Sequence, residues 1–448
     1  MLFFRRCVKG EAGLTVVCLS VALLFSGCAS YHALPLPEAA SSVPLSSLVS
    51  HKLDMQQVSA MAMARSPSLQ AAWRQVEVAR RKADVAGYFP YPALSLSLDH
   101  PFSGPDHLDA WSLGVTESVR QLLTHHDDHR AADARYAASL LAWQWQRIQI
   151  GLKARCAYLD VWQAEQTLRL LGDERRLVEE LRTAAAGAHA RGDMKDQDYL
   201  AILDRAETLQ SQLSSARAVD IQARNELAAL LDITELRGSD LRAPIFPSPE
   251  AYAVDQSVRS LAERRLDLLA LKAGYQSQDA QLRADILSQF PIVSIGFQRT
   301  NDTAGVNTVG LGVTVNLPFF NDSRGKIVID RATREALRAA YQARLDQAVN
   351  EVRKISEKLA VEVRQQPRLR ENAMQRKTLS EAADRAFQQG DITLTRQVAL
   401  RLGWVDARLQ SQRLQTEARK LAMTLSVLLA HPETGSTERI AAELIDHE

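Results

Sequence analysis

Cysteine is scarce in this chain. Of 448 residues four are Cys, at positions 7, 18, 28 and 156, and three of these fall in the first 28 residues. That count excludes a disulfide scaffold, so stability must come from packing. An excess of one charge is also missing: 54 Lys and Arg face 53 Asp and Glu, for a net charge of +1. A nucleic-acid binder is excluded on that ground, because such proteins carry a basic stripe. Past the N-terminus there is no apolar run of about 18 residues, which excludes a transmembrane helix from the rest of the chain. It does not exclude a membrane β-barrel, whose strands leave a weaker signal. No nucleophile motif, phosphate-binding Gly loop or Cys/His zinc spacing occurs. The chain is therefore read as non-enzymatic and without a cofactor. Its 46% apolar and 24% charged residues are those of a folded protein rather than a disordered one.

What is present starts at the N-terminus. Arg5, Arg6 and Lys9 precede an apolar stretch from Leu14 to Phe25, followed by Ser26-Gly27-Cys28. A charged region, a short apolar core and a small-residue cleavage site define an export signal. The segment resembles a bacterial lipoprotein signal peptide over residues 1–27, which implies lipidation of Cys28. Ala29 after that Cys fits delivery to the outer membrane. Residues 28–52, rich in Ser, Pro, Ala and Leu, read as a tether.

From Leu53 onward the pattern is helical, with two interruptions. In the first, about 92–118, Leu94, Leu96 and Leu98 alternate with Ser95 and Ser97. Trp111, Leu113 and Val115 then alternate with Ser112, Gly114 and Thr116. In the second, about 291–317, Val293, Ile295 and Phe297 alternate with Ser294, Gly296 and Gln298. Val309, Leu311, Val313 and Val315 follow in the same way between Gly310, Gly312, Thr314 and Asn316. A period of two bounded by Pro, Gly, Asn and Asp predicts two β-hairpins.

The interruptions belong to an internal repeat. Gly87-Tyr-Phe-Pro90 parallels Ser288-Gln-Phe-Pro291, and Arg191-Gly-Asp193 parallels Gln389-Gly-Asp391. The near-equal offsets divide the chain into a first repeat over 53–254 and a second over 255–432, with a tail at 433–448. Each repeat has a long helix (123–190 and 322–389, the latter with a kink expected at Pro367). Each also has two shorter helices, at 54–87 and 195–231 and at 258–288 and 393–430. The short pair laid end to end matches the long helix in length. The hairpin then falls at one end and the Gly-Asp turn at the other.

Four strands cannot close a barrel, and an isolated hairpin leaves its edges unpaired. Strands of this length, apolar on one face and small or polar on the other, have the make-up of outer-membrane strands, lipid outside and water inside. Closure then needs several copies, and three give 12 strands. Trp111 and Phe297 are expected in aromatic girdles.

The chain resembles the TolC-like outer-membrane efflux proteins. The resemblance rests on Arg65-Ser-Pro-Ser-Leu69, Phe89-Pro90, Arg191-Gly192, Arg265-Leu-Asp267, Phe290-Pro291, Gly310-Leu-Gly312 and Asn316-Leu-Pro-Phe-Phe-Asn321 in duplicated order. It implies a mainly α-helical homotrimer with a shared 12-stranded β-barrel and a periplasmic coiled-coil α-barrel. It further implies docking of the tips to a periplasmic adaptor and an inner-membrane transporter of the RND type. The stretch 317–326 is similar to the branch serving cobalt-zinc-cadmium and copper pumps. A multidrug or type I secretion duct is the nearest alternative, and a non-conducting coiled-coil envelope lipoprotein is the alternative of another class.

The tips Arg191, Gly192, Asp193, Gly390 and Asp391 are the expected adaptor contacts. Gly suits the left-handed end of a helix, and Asp193 or Asp391 is expected to cap the next one. Some relatives narrow the closed end with carboxylates after the second tip. Here Arg396, Gln397, Ala399 and Arg401 stand there, so the gate candidates are Asp391, Arg396 and Arg401, with Asp196 and Asp198 after the first tip. His125 and His129, spaced i,i+4 beside Asp127 and Asp128, are the weak candidates for a metal. The plainer reading is a solvated helix start whose acids suit the N-terminal dipole.

Overall fold

The structure, a computed structural model, describes residues 31–39, 41–49, 51–103, 105, 108–245, 254–316 and 322–430. Cys28 and residues 317–321 lie outside them. Residues 31–39, 41 and 42 are irregular.

Helix α1 (Met55–Arg65) starts on a capping box in which Asp54 accepts from the backbone of Gln56 and Gln57. Where the periodicity predicts one helix over 54–87 there are two, because Ser66 is extended and Pro67 opens α2 (Pro67–Ala86). Proline has no N–H to continue α1, but at a first helical position it needs none. Strands β1 (Ala93–Asp99) and β2 (Ala110–Ser118) lead into α3 (Val119–Ala190), 72 residues and about 110 Å long. Helix α4 (Asp196–Leu231) returns beside it.

The second repeat has the same order of elements, except that three helices instead of two precede its strands. Short α5 (Val254–Arg259) and α6 (Leu261–Arg264) precede α7 (Leu266–Leu287). Strands β3 (Ile292–Asn301) and β4 (Asn307–Asn316) lead to α8 (Asp322–Gln389) and α9 (Leu394–Leu428). Helix α8 continues through Pro367.

The predicted helix over 258–288 is also broken, at Ser260 and at Arg265, without a Pro or Gly. Arg265 is fully buried. Its guanidinium donates to Asp267 at 2.8 and 3.0 Å and to Glu351 of α8 at 3.4 Å, and lies 5.0 Å from the Trp145 ring of α3. A buried cation needs such partners, and meeting them here takes an extended residue. Its counterpart Arg65 donates to the carbonyls of Leu231 and Asp232 at the end of α4.

Each short pair lies along its long helix. Helices α1 and α2 pack on the first part of α3 and α4 on the rest; α7 and α9 do the same along α8. In addition α7 and α9 pack against α3, so the second repeat's short pair is shared between both long helices. Three apolar clusters hold this arrangement. The first, around Leu159, Val161, Leu227 and Leu231, joins α1, α3 and α4. The second, around Leu171, Val178, Leu209 and Leu402, joins α3, α4 and α9. The third, around Leu268, Val352 and Leu421, joins α7, α8 and α9. Backbone bridges from Val43 to Ile233 and from Leu53 to Leu241 stitch the segment before α1 onto the link between repeats. No described helix is long and apolar enough to cross a membrane.

Candidate functional site

The two hairpins join into one antiparallel sheet in the order β1-β2-β3-β4, with β2 and β3 pairing across the repeats. The register sorts its faces. Leu94, Val115, Phe297 and Leu311 form one row; Leu96, Leu113, Arg299 and Val309 form the next. On the opposite face Ser95, Gly114, Gln298 and Gly310 align, as do Ser97, Ser112, Thr300 and Thr308. Asp99 is the one charged strand residue on this second face.

Nothing among the described residues covers the apolar face. Leu311 is 83% exposed, Leu96 66% and Phe297 52%. Both outer edges, β1 and β4, are unpaired. Water would penalise such a face and such edges, since large contiguous apolar patches mark an interface. The small residues of the other face leave open space: a Cβ on Gly310 or Gly312 would meet no atom within 4 Å. The sheet has the chemistry of a wall between lipid and water. Trp111 stands in a row with Leu98, Asn301 and Asn307 near the end of the sheet away from the helices. Phe297 sits in a middle row instead. Exposed Tyr88, Phe89, Tyr91 and Phe290 gather at the helical end of the sheet.

At the far end the two turns share one geometry. Gly192 and Gly390 have φ of 80° and 81°. Gly192 donates to His189 and Asp193 to Ala188, each at 2.9 Å; Gly390 donates to Phe387 at 3.0 Å and Asp391 to Ala386 at 2.9 Å. These are paired Schellman closures, which use Gly because its left-handed backbone carries no Cβ penalty. The expected Asp caps differ. Residue Lys195 precedes α4 without a side-chain cap, and Thr393 caps α9 by accepting from Arg396 at 3.3 Å. The chain needs two further residues after each Gly-Asp before a helix can start. Asp193 instead accepts from Arg191 at 3.0 Å, and His189 bonds Asp196 at 2.8 Å while stacking on Tyr199. Arg191, Gly192, Asp193, Asp196, Asp198, Gly390, Asp391 and Arg396 are all exposed.

Arg401 is placed differently from the other gate candidates. Its Nε donates to Glu174 of α3 at 2.8 Å, another guanidinium nitrogen is 3.8 Å from Asp384 of α8, and it lies 4.7 Å from the Trp404 ring. It ties three helices of the chain together. Glu174 is 1% exposed and one of its carboxylate oxygens has no partner among the described residues. Burial pushes its carboxyl above the usual range, against the pull of Arg401. Sequence reasoning missed Glu174, which lies 227 positions from Arg401.

His125 and His129 do share a helix face, with ring centres 6.4 Å apart. His129 is engaged with Asp133 at 2.7 Å, and His125 lies edge-on to Phe89. Among the described residues no three His, Cys, Asp or Glu side chains converge on a metal position. Cys156 is mostly buried, and burial pushes its thiol up to about 11.

No protein-family model matches the sequence, and no curated protein matches it. Solved structures do. The CmeC outer membrane channel of Campylobacter jejuni matches over 93% of this chain and 98% of its own, with a TM-score of 0.69 and 14% identity. The open state of the MtrE outer membrane channel of Neisseria gonorrhoeae matches over 84% and 88%, with a TM-score of 0.67 and 16% identity. CusC, studied for its folding and transmembrane channel formation, matches over 90% and 98%, with a TM-score of 0.64 and 15% identity. At these identities the likeness is one of fold. The chain has the outer-membrane channel fold, across nearly its whole described length.

Proposed function

We propose that this chain is one protomer of a TolC-like outer-membrane efflux channel. Three copies close a 12-stranded barrel, and their helices form a periplasmic duct. The observation that carries this reading is the sheet: an uncovered apolar face, an opposite face of Ser, Thr, Gly and Gln, and two unpaired edges. Three such sheets joined edge to edge leave no edge open, give lipid the apolar side and give water the other.

The duct is passive. Its energy comes from an inner-membrane transporter of the RND type, coupled through a periplasmic adaptor that docks at the Gly192 and Gly390 tips. Arg396 and Asp391 line the closed end, and adaptor docking dilates it. Lipidation of Cys28 anchors the N-terminus in the outer membrane. Heavy-metal cations are the narrower cargo reading, supported by the resemblance of residues 317–326 alone. The barrel's water face, uncharged on its strands except for Asp99, would not retain a metal on its way out.

Purified protein added to a planar lipid bilayer should give discrete conductance steps. Absence of any conductance across protein concentrations would falsify the duct reading and leave a coiled-coil envelope lipoprotein. Growth of a deletion strain on divalent metals, dyes and antibiotics then assigns the cargo.

A further inference from the structure

Two charged residues interrupt the apolar face of the sheet, Glu117 near the helices and Arg299 toward the opposite end. Arg299 stands in register between Leu113 and Val309, in the row that ends on Leu96. It is exposed, and no carboxylate pairs with it among the described residues. Its guanidinium carbon lies 5.8 Å from the centre of the Trp111 ring. The next row outward carries Asn301 and Asn307 beside Leu98 and Trp111, so the apolar band gives way to polar residues on β3 and β4 one step beyond Arg299. The helices leave the sheet from its other end, which puts Arg299 toward the cell exterior under the reading above. Strands β2 and β3 are the inner pair of the four. Closure of the sheet edges against other copies therefore leaves Arg299 and Trp111 uncovered.

An unpaired Arg on a lipid-facing strand is costly at the bilayer midplane and nearly free at the interface. Its position here fits the interface, in register with Leu113 and Val309 and with its guanidinium over the Trp111 ring. A guanidinium binds phosphate through paired N–H donors, and the Trp111 ring beneath it restricts its orientation. An apolar wall capped by such a group matches one ligand chemistry, a phosphorylated headgroup with acyl chains below it.

We propose that Arg299, held over Trp111, binds a phosphate of the outer-leaflet glycolipid, the phosphorylated disaccharide of lipid A. This rests on the outer-membrane reading, and its test separates the two. The full chain in detergent would be titrated with bis-phosphorylated lipid A, with dephosphorylated lipid A and with phosphatidylglycerol, reading thermal midpoint and retained lipid. The wild type should bind bis-phosphorylated lipid A at least about tenfold more tightly than Arg299→Leu does. Arg299→Lys should keep part of the difference, and dephosphorylated lipid A should bind wild type and Arg299→Leu alike. Equal binding of bis-phosphorylated lipid A by wild type and Arg299→Leu would overturn the site. So would equal stabilisation by dephosphorylated lipid A, or by phosphatidylglycerol. Each of these outcomes leaves conductance intact, whereas failure of the outer-membrane reading removes conductance from the wild type.

Discussion

Leu96 in β1 and Leu159 in α3 are the same residue in opposite surroundings. The first is 66% exposed and the second 0%. The contrast extends to whole regions: the helical clusters bury their Leu and Val, while the sheet presents its own outward on one face only. Under the proposed function, two regions of one chain obey different solvents: the helices have water around them, and the sheet has water on one side and hydrocarbon on the other.

The largest test of that contrast lies in the helices. Leu159→Ala removes a fully buried side chain from the first cluster, and the loss should be about 2–5 kcal/mol, read from the denaturant midpoint of the helical signal. The reverse test follows in the sheet. Leu311→Arg on a water-exposed surface would change stability by no more than about 0.5 kcal/mol. Facing lipid it should cost about 2–4 kcal/mol, seen as loss of the assembled form from outer-membrane fractions. An assembled yield equal to wild type would remove lipid from that face.

A smaller effect concerns the buried charge in the helices. Arg401→Met leaves Glu174 buried without its partner and should cost about 2–3 kcal/mol at neutral pH. The sign with pH follows from burial, which raises the carboxyl in the folded state. A group whose folded value lies above its unfolded one binds more protons when folded, so stability falls as pH rises through that window. Below the ordinary carboxylate range Glu174 is protonated in both states and the penalty vanishes. The melting gap between Arg401→Met and wild type should therefore be narrower at pH 4 than at pH 8; a constant gap would mean that the charge of Glu174 is not what Arg401 offsets.

The smallest pair compares glycines. Gly390→Ala puts a Cβ on a left-handed residue and should cost about 1 kcal/mol at the second tip. Gly310→Ala, in a strand with open space above it, should stay within about 0.5 kcal/mol. Differential melting of the two variants against wild type checks both.

Much of the contrast is legible in the order of residues. A period of two shows plainly in Leu94-Ser-Leu-Ser-Leu98, because each residue type alternates without exception. The pairing of β2 with β3 is not legible, since four similar strands do not state which edges meet. Pro67 marked the break between α1 and α2 in the open. The break at Arg265 carried no such mark: its cause is Glu351, 86 positions away, and a charge that must be met inside the protein. Glu174 was hidden for the same reason. The cap at Thr393 was missed because the Schellman closure uses Asp391 as a backbone donor, which moves the helix start onward.

Under the proposed function one face of the sheet meets lipid and the other water. Single cysteines at residues 94 to 98 of β1, in a Cys156→Ala background and in intact outer membranes, test it with a membrane-impermeant maleimide. Labelling is expected at 95 and 97 and protection at 94, 96 and 98. Uniform labelling would put both faces in water, and uniform protection would bury both in a protein core; either result rules out a lipid-facing sheet.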